Sequence, residues 1–184
     1  MIFPLFRRPQ RLDTISGLYG MIVAQARMPS FYREYAVPDT VNGRFDLIVL
    51  HLALLIDRFA QEPALRALGQ EIFDRFCSDM DHNLREMGIG DLSVPKQMRT
   101  VGEAFYGRAE AYRAALAQAD DNALAAVLAR NIYGGSAAPA AALRLAAYMR
   151  ETVRDLMAQR SESLATGRLR FPQPVPEPDD KSMS

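Results

Sequence analysis

The stretch Leu47-Ile48-Val49-Leu50-His51-Leu52-Ala53-Leu54-Leu55-Ile56 constrains the fold of this chain more than any other. A single polar side chain, His51, interrupts ten residues. As a helix rising 1.5 Å per residue, the segment spans roughly half of a bilayer core, so it reads as a buried helix and not as a membrane span. With Phe45 and Phe59 added, its apolar set runs nearly all round the helix, and such a helix belongs at the centre of a bundle. Other elements must surround it.

The remaining sequence supplies helices for that purpose. No stretch shows apolar/polar alternation bounded by hairpin turn residues, whereas 3-4 spacing is widespread. Asp13 or Thr14 caps a first helix, about 14–28, closed by Met28-Pro29, since a residue before proline avoids the α region. Residues 29–43 form a connector with Phe31, Tyr32 and Tyr35, and Asn42-Gly43 leads into the core helix, about 43–61. A third helix, about 63–87, has Pro63 in its first turn and a buried stripe of Ile72, Phe73, Phe76, Met80, Leu84 and Met87. Gly88 and Gly90 end it. The fourth, from Asp91 or Ser93 to about 118, has the stripe Met98, Val101, Phe105, Ala109, Tyr112 and Leu116. A fifth, about 121–132, is capped by Asp120 or Asp121, and an Ala-rich sixth follows Gly134-Gly135-Ser136 at about 137–160. The expectation is an all-α, single-domain bundle of about six helices over residues 13–160. A basic segment, 1–12, precedes it, and a disordered Pro-rich tail, 161–184, follows.

Charge narrows the function classes. Basic and acidic side chains number 22 each, a net charge of zero, which argues against a general nucleic-acid binder. The zero conceals a gradient of +3 over residues 1–35 and −2 over 36–160. Phe3, Leu5 and Phe6 with Arg7 and Arg8 suit weak, reversible contact with an anionic membrane surface. The apolar part precedes the charges, opposite to a secretory signal, so the expected location is the cytoplasm.

Enzyme chemistry does not emerge. One cysteine and two histidines give no multi-Cys zinc site and little for a His-based centre. Asp79-x-x-His82 is half of a di-iron motif with the wrong acid, and it reads as a solvated face. Cys77 lacks a neighbouring base and reads as packing. His51 reads as a buried or interface histidine with one hydrogen-bond partner; the sharper alternative, an axial haem ligand, has no attachment sequence beside it. A second alternative is a helical ligand-binding or DNA-binding regulator, with Met28–Tyr35 starting a helix-turn-helix. Neither a metal nor another cofactor is expected.

The densest polar cluster runs through Asp79, Asp81, His82, Arg85, Glu86, Asp91, Lys96 and Arg99, with local pairs expected for Asp81 with Arg85 and Asp79 with His82. Tyr106, Arg108 and Tyr112 follow on the next helix. Arg and Tyr are enriched at interfaces, so this edge is a candidate binding surface.

The same segments carry a resemblance. Pro38-Asp39-Thr40-x-Asn42-Gly43-x-Phe45-x-Leu47-Ile48-x-Leu50-His51-Leu52 and Asp81-x-x-x-Arg85-Glu86-Met87-Gly88-Ile89-x-Asp91 are similar to the ubiquinol–cytochrome c reductase assembly chaperones. So are Lys96-x-Met98 and Phe105-Tyr106-Gly107-Arg108-x-x-x-Tyr112. The resemblance covers about residues 12–160. It implies a helical, non-enzymatic chaperone that binds newly made cytochrome b and helps it into the bc1 complex. It also implies a ribosome or a second chaperone as further partners, and a place in the cytoplasm or at the inner face of the membrane. The client edge would be Asp81, Arg85, Glu86, Lys96, Met98, Arg99, Tyr106, Arg108 and Tyr112, lined by adaptable methionines.

Overall fold

A computed structural model describes residues 7–135 and 139–174, with side chains from Gln10 onward. Among these residues there is no strand, and the chain forms one all-helical domain. The helices are α1 (Arg7–Ala26), α2 (Pro29–Arg33), α3 (Val41–Ala60), α4 (Arg66–Glu86), α5 (Val94–Leu116), α6 (Asp121–Asn131), α7 (Pro139–Ala158) and α8 (Ser161–Ala165).

α3 is the central element, packed by α1, α4, α5 and α7. Every residue from Asp46 to Leu55 is buried, as a helix apolar on all sides requires. Thr40 caps α3, its hydroxyl accepting from the Gly43 N–H at 3.1 Å. Gly43 is there for space: a Cβ at this position would lie 2.0 Å from the Pro38 carbonyl oxygen. The Pro38-Asp39-Thr40-x-Asn42-Gly43 motif is therefore a tight entry into the core helix, closed outside by an Arg44–Asp39 ion pair of 2.8 Å.

The structure corrects several boundaries. α1 begins at Arg7, so residues 7–12 are helical and the expected cap at Asp13 or Thr14 is absent. Thr14 instead donates to the Gln10 carbonyl at 2.9 Å, as a mid-helix threonine does, and Pro9 sits in the first turn, where no N–H is missed. Pro63 precedes α4 and is not inside it. The connector contains α2, whose Phe31 is wholly buried against Tyr35, His51 and Tyr148. A five-residue helix with its aromatic turned inward is no recognition helix, which removes the support for the regulator alternative.

The described part of the expected tail, 161–174, is also ordered. After α8, Gly167 at φ +82° turns the chain back, and residues 168–174 run as an extended strap. Leu169, Pro172 and Pro174 are buried and Phe171 is half-buried, while Arg168 and Arg170 are exposed. Exposed and covered residues alternate along the strap, with the parity shifting at Phe171-Pro172. Gln159 fixes the strap from α7, donating to the Arg170 carbonyl at 2.8 Å and accepting from its N–H at 2.9 Å. Residues 175–184 lie outside the described residues, as do Phe3, Leu5 and Phe6, while the side chains of Arg7 and Arg8 are not described.

Candidate functional site

The hairpin joining α4 to α5 is the most distinctive surface feature. α4 ends in a Schellman motif: Gly88 N–H donates to the Arg85 carbonyl at 2.9 Å, and Ile89 N–H to the Leu84 carbonyl at 3.1 Å. This places Gly88 at φ +81°, where a side chain is disfavoured. Val94-Pro95 then starts α5, proline taking a first-turn position. Arg85 ties the turn together, donating through Nε to Asp81 at 2.7 Å and through Nη1 to Asp91 across the loop. The Arg85 hydrogen bond and charge hold the Asp81 carboxyl below its ordinary pKa. The expected Asp81–Arg85 pair is present, but Asp79 does not pair with His82. Asp79 accepts from the Tyr19 hydroxyl at 2.9 Å, and His82 meets Glu86 at 3.1 Å.

The predicted edge residues divide. Arg85, Glu86, Lys96, Arg99 and Tyr106 are exposed, while Asp81, Met98 and Arg108 are half-buried. Tyr112 is buried at 1% exposure and cannot meet a client; its 3-4 register with Phe105 turns it into the bundle. Arg108 is an internal tie. It donates to Asp46 of α3 at 2.7 Å and lies over the Phe45 ring, 5.8 Å from the centroid. Burial pushes the Asp46 carboxyl up to about 6, outweighing the opposing pull of Arg108. Lys96 and Arg99 have no carboxylate partner among the described residues.

Sequence reasoning missed the apolar members of this surface. Met87 is 69% exposed and Leu92 99%, although Met87 was expected to close the buried stripe of its helix. Ile89 and Leu84 are half-buried beside them. Further along, Phe73, Phe105 and Tyr106 form an aromatic group, with Phe73 4.8 Å from the Phe105 ring and 5.5 Å from that of Tyr106. These rings line a notch of about 170 Å3 between α3, α4 and α5, floored by Ile56 and Gly69. The 4-3 spacing of Met80, Leu84 and Met87 was the available signal, but spacing identifies an apolar face without saying what covers it.

His51 answers differently. It is fully buried, and both ring nitrogens are engaged. A carbonyl can only accept, so Nδ1–H donates to Leu47 at 2.8 Å, and Nε2 accepts from the Tyr148 hydroxyl at 2.8 Å. Tyr148 in turn accepts from Gln25, whose amide also donates to the Pro172 carbonyl of the strap at 2.8 Å. The chain of bonds joins α1, α3, α7 and the strap. Burial holds the imidazole down at about 4, against the smaller raising effect of the Leu47 bond. No ring nitrogen is left for iron, so the haem-ligand alternative falls. Cys77 is half-buried with its thiol pKa raised by burial and by Asp74, the opposite of a reactive thiolate. A cleft of about 660 Å3 lies between the end of α7 and the strap and is lined by residues that include Arg160, Arg168 and Arg170. Among the described residues, no group of three or more His, Cys, Asp or Glu is placed to hold a metal ion. No helix there is long and apolar enough to cross a membrane.

These features define a helical scaffold with a braced, partly apolar arm. Residues 33–171 match the family described as Ubiquinol-cytochrome C chaperone, and the chain belongs to that family of bc1 assembly chaperones. It is 28% identical over 116 residues to a Xenopus laevis protein named ubiquinol-cytochrome-c reductase complex assembly factor 1, covering 62% of this chain and 58% of the relative. The Mus musculus protein of the same name is 26% identical over 169 residues, covering 90% of this chain and 57% of the relative. The chain thus spans somewhat over half the length of these curated relatives. The crystal structure of the Cbp3 homolog from Brucella abortus superposes with a TM-score of 0.85 at 43% identity, covering 95% of this chain and 98% of that one.

Proposed function

We propose that this protein binds newly made cytochrome b and assists its assembly into the cytochrome bc1 complex, with the α4–α5 hairpin as the client-binding element. Membership of the assembly-chaperone family carries the reading, and it is supported by exposed Met87 and Leu92 in a turn braced by Arg85. Surface apolar groups on an ordered turn are the means by which a binder desolvates an apolar client. The role is holding, not catalysis, and takes place at the cytoplasmic side of the membrane. The basic start of the chain, a second chaperone and the ribosome are further contacts consistent with the same role. Deleting the gene tests the reading: bc1 complex and spectroscopically measured cytochrome b should both fall, while other respiratory complexes hold their level. Unchanged amounts of both would remove it.

A further inference from the structure

The cleft between the end of α7 and the strap, about 660 Å3, has Arg160, Arg168 and Arg170 in its lining, with Ser163 and a single acid, Asp155. Arg160 meets only the exposed Glu162, at 3.3 Å. Arg168 and Arg170 have no carboxylate partner among the described residues. They stand two apart on extended backbone, so both side chains leave the same face of the strap, and both are exposed. Gln159 fixes that backbone through its two hydrogen bonds to Arg170. The two guanidinium groups are thus held side by side without serving the fold, and paired guanidiniums suit phosphate oxygens.

The neighbours of the cleft select an occupant. A Cβ on Gly167 would lie 3.5 Å from the Thr14 methyl of α1, and a second cleft joins Gln10 and Arg11 of α1 to Ala165 and Thr166 of α8. The first turns of α1 therefore adjoin the strap. They carry Arg7 and Arg8, with no acidic residue in the first turn, and Leu12 at 61% exposure. Met1-Ile2-Phe3-Pro4-Leu5-Phe6 precedes them in the sequence. Met157, 49% exposed, stands next to Ala158 of the cleft. With Asp13, Glu71, Asp155 and Glu162 counted against Arg7, Arg8, Arg11, Arg160, Arg168 and Arg170, this end keeps a net charge of +2 in a chain whose total is zero. Stable attachment to a bilayer takes two signals, such as an apolar segment and a basic patch. The start of the chain supplies the first, and the fold assembles the second. We propose that the strap cleft binds the phosphate groups of anionic lipids and, together with the start of the chain, holds this end of the protein on the membrane. This deepens the membrane contact read for the basic start, and rests on it. α1 and α4 run parallel, Arg11 meeting Glu71 and Tyr19 meeting Asp79. The end of α4 at Glu86 is fifteen residues beyond Glu71, about 22 Å along the helix, so the hairpin stays free for a client.

The test is flotation of the full-length protein with mixed phosphatidylglycerol/phosphatidylcholine vesicles and with pure phosphatidylcholine vesicles. The parent should bind the first and not the second. Arg168→Gln/Arg170→Gln should bind the anionic vesicles about tenfold more weakly, with an unchanged melting temperature, since both side chains are exposed. Arg27→Gln/Arg33→Gln removes the same charge from exposed positions at the far end of α1 and should bind as the parent does. Undiminished binding by the strap variant, or equal weakening in the two double variants, overturns the cleft as the site. Phe3→Ser/Leu5→Ser/Phe6→Ser probes the start of the chain separately. Loss of binding there, with full binding by the strap variant, overturns the cleft and leaves the start as the contact. A parent that ignores anionic vesicles removes both. Stabilisation by inorganic phosphate over chloride in a thermal melt, without vesicle binding, assigns the cleft to a free anion and overturns the lipid. The amount of bc1 complex after gene deletion decides the chaperone reading whatever the vesicles do.

Discussion

Two buried titratable residues set opposing pH dependences. The His51 imidazole has its pKa pushed down to about 4 in the fold, while an unfolded histidine takes its proton near 6.5. Between those values the unfolded chain binds the proton and the folded one does not, so stability falls as pH drops through the window, by on the order of 3 kcal/mol in full. Asp46 is raised to about 6, above the unfolded value near 4, so its folded form takes the proton first. Its contribution therefore rises as pH drops from about 6 to 4. The two slopes partly cancel in the parent. In urea unfolding at pH 4.5 and 7, Asp46→Asn should show a steeper loss toward acid than the parent, and His51→Asn a shallower one. Parallel pH profiles for all three proteins would contradict this account. Glycine offers a second residue-scale check. Gly43→Ala drives a methyl into the Pro38 carbonyl and should cost about 2 kcal/mol, within the range for overpacking. Gly107→Ala on α5 meets open space and should add up to about 1 kcal/mol of helix propensity. Chemical denaturation of the two variants compares them directly.

Among the elements, the hairpin and the strap each depend on one polar side chain. Arg85→Ala removes the contacts to Asp81 and Asp91 at an exposed site, so global stability should barely change. Amide exchange at residues 88–93 should nonetheless quicken, because the turn loses its brace. Exchange identical to the parent's would mean that the Schellman motif alone orders the tip. For the strap, Gln25→Leu leaves the Pro172 carbonyl and the Tyr148 hydroxyl without their shared donor. The expected cost is about 1–3 kcal/mol, with faster proteolysis within 167–174. Elements also show where local signals mislead. Pro172 and Pro174 read as a disordered tail because proline cannot join a helix or ladder. The same residues lie flat in an extended strap once Gln159 and Gln25 satisfy the neighbouring backbone. Thr14 read as a cap for the same kind of reason: its hydroxyl can serve a helix end or the carbonyl four residues back, and only the surroundings choose.

Across the whole molecule, α3 was legible because a run of ten residues with one polar member has a single stable solution in water, burial on every side. Long periodic helices followed, with boundaries shifted by a few residues. The candidate site was half legible. Asp81, Arg85, Lys96, Arg99 and Tyr106 were marked by residue type, but Tyr112 was wrongly placed on the edge and Met87 wrongly placed in the core. Apolar spacing identifies a face without saying which of its side chains a neighbouring element covers. Tyr112, within α5, is buried at 1% exposure, and Met87, just past the end of α4, is 69% exposed. The sequence by itself determined the all-α class, the central helix and the family, since these depend on local periodicity and on motifs contiguous in the chain. The tertiary structure alone decided that His51 is locked by Tyr148, that Arg108 serves Asp46, and that the apolar end of the hairpin is bare. Those outcomes depend on distances between residues about 60 to 100 positions apart, which no local pattern encodes.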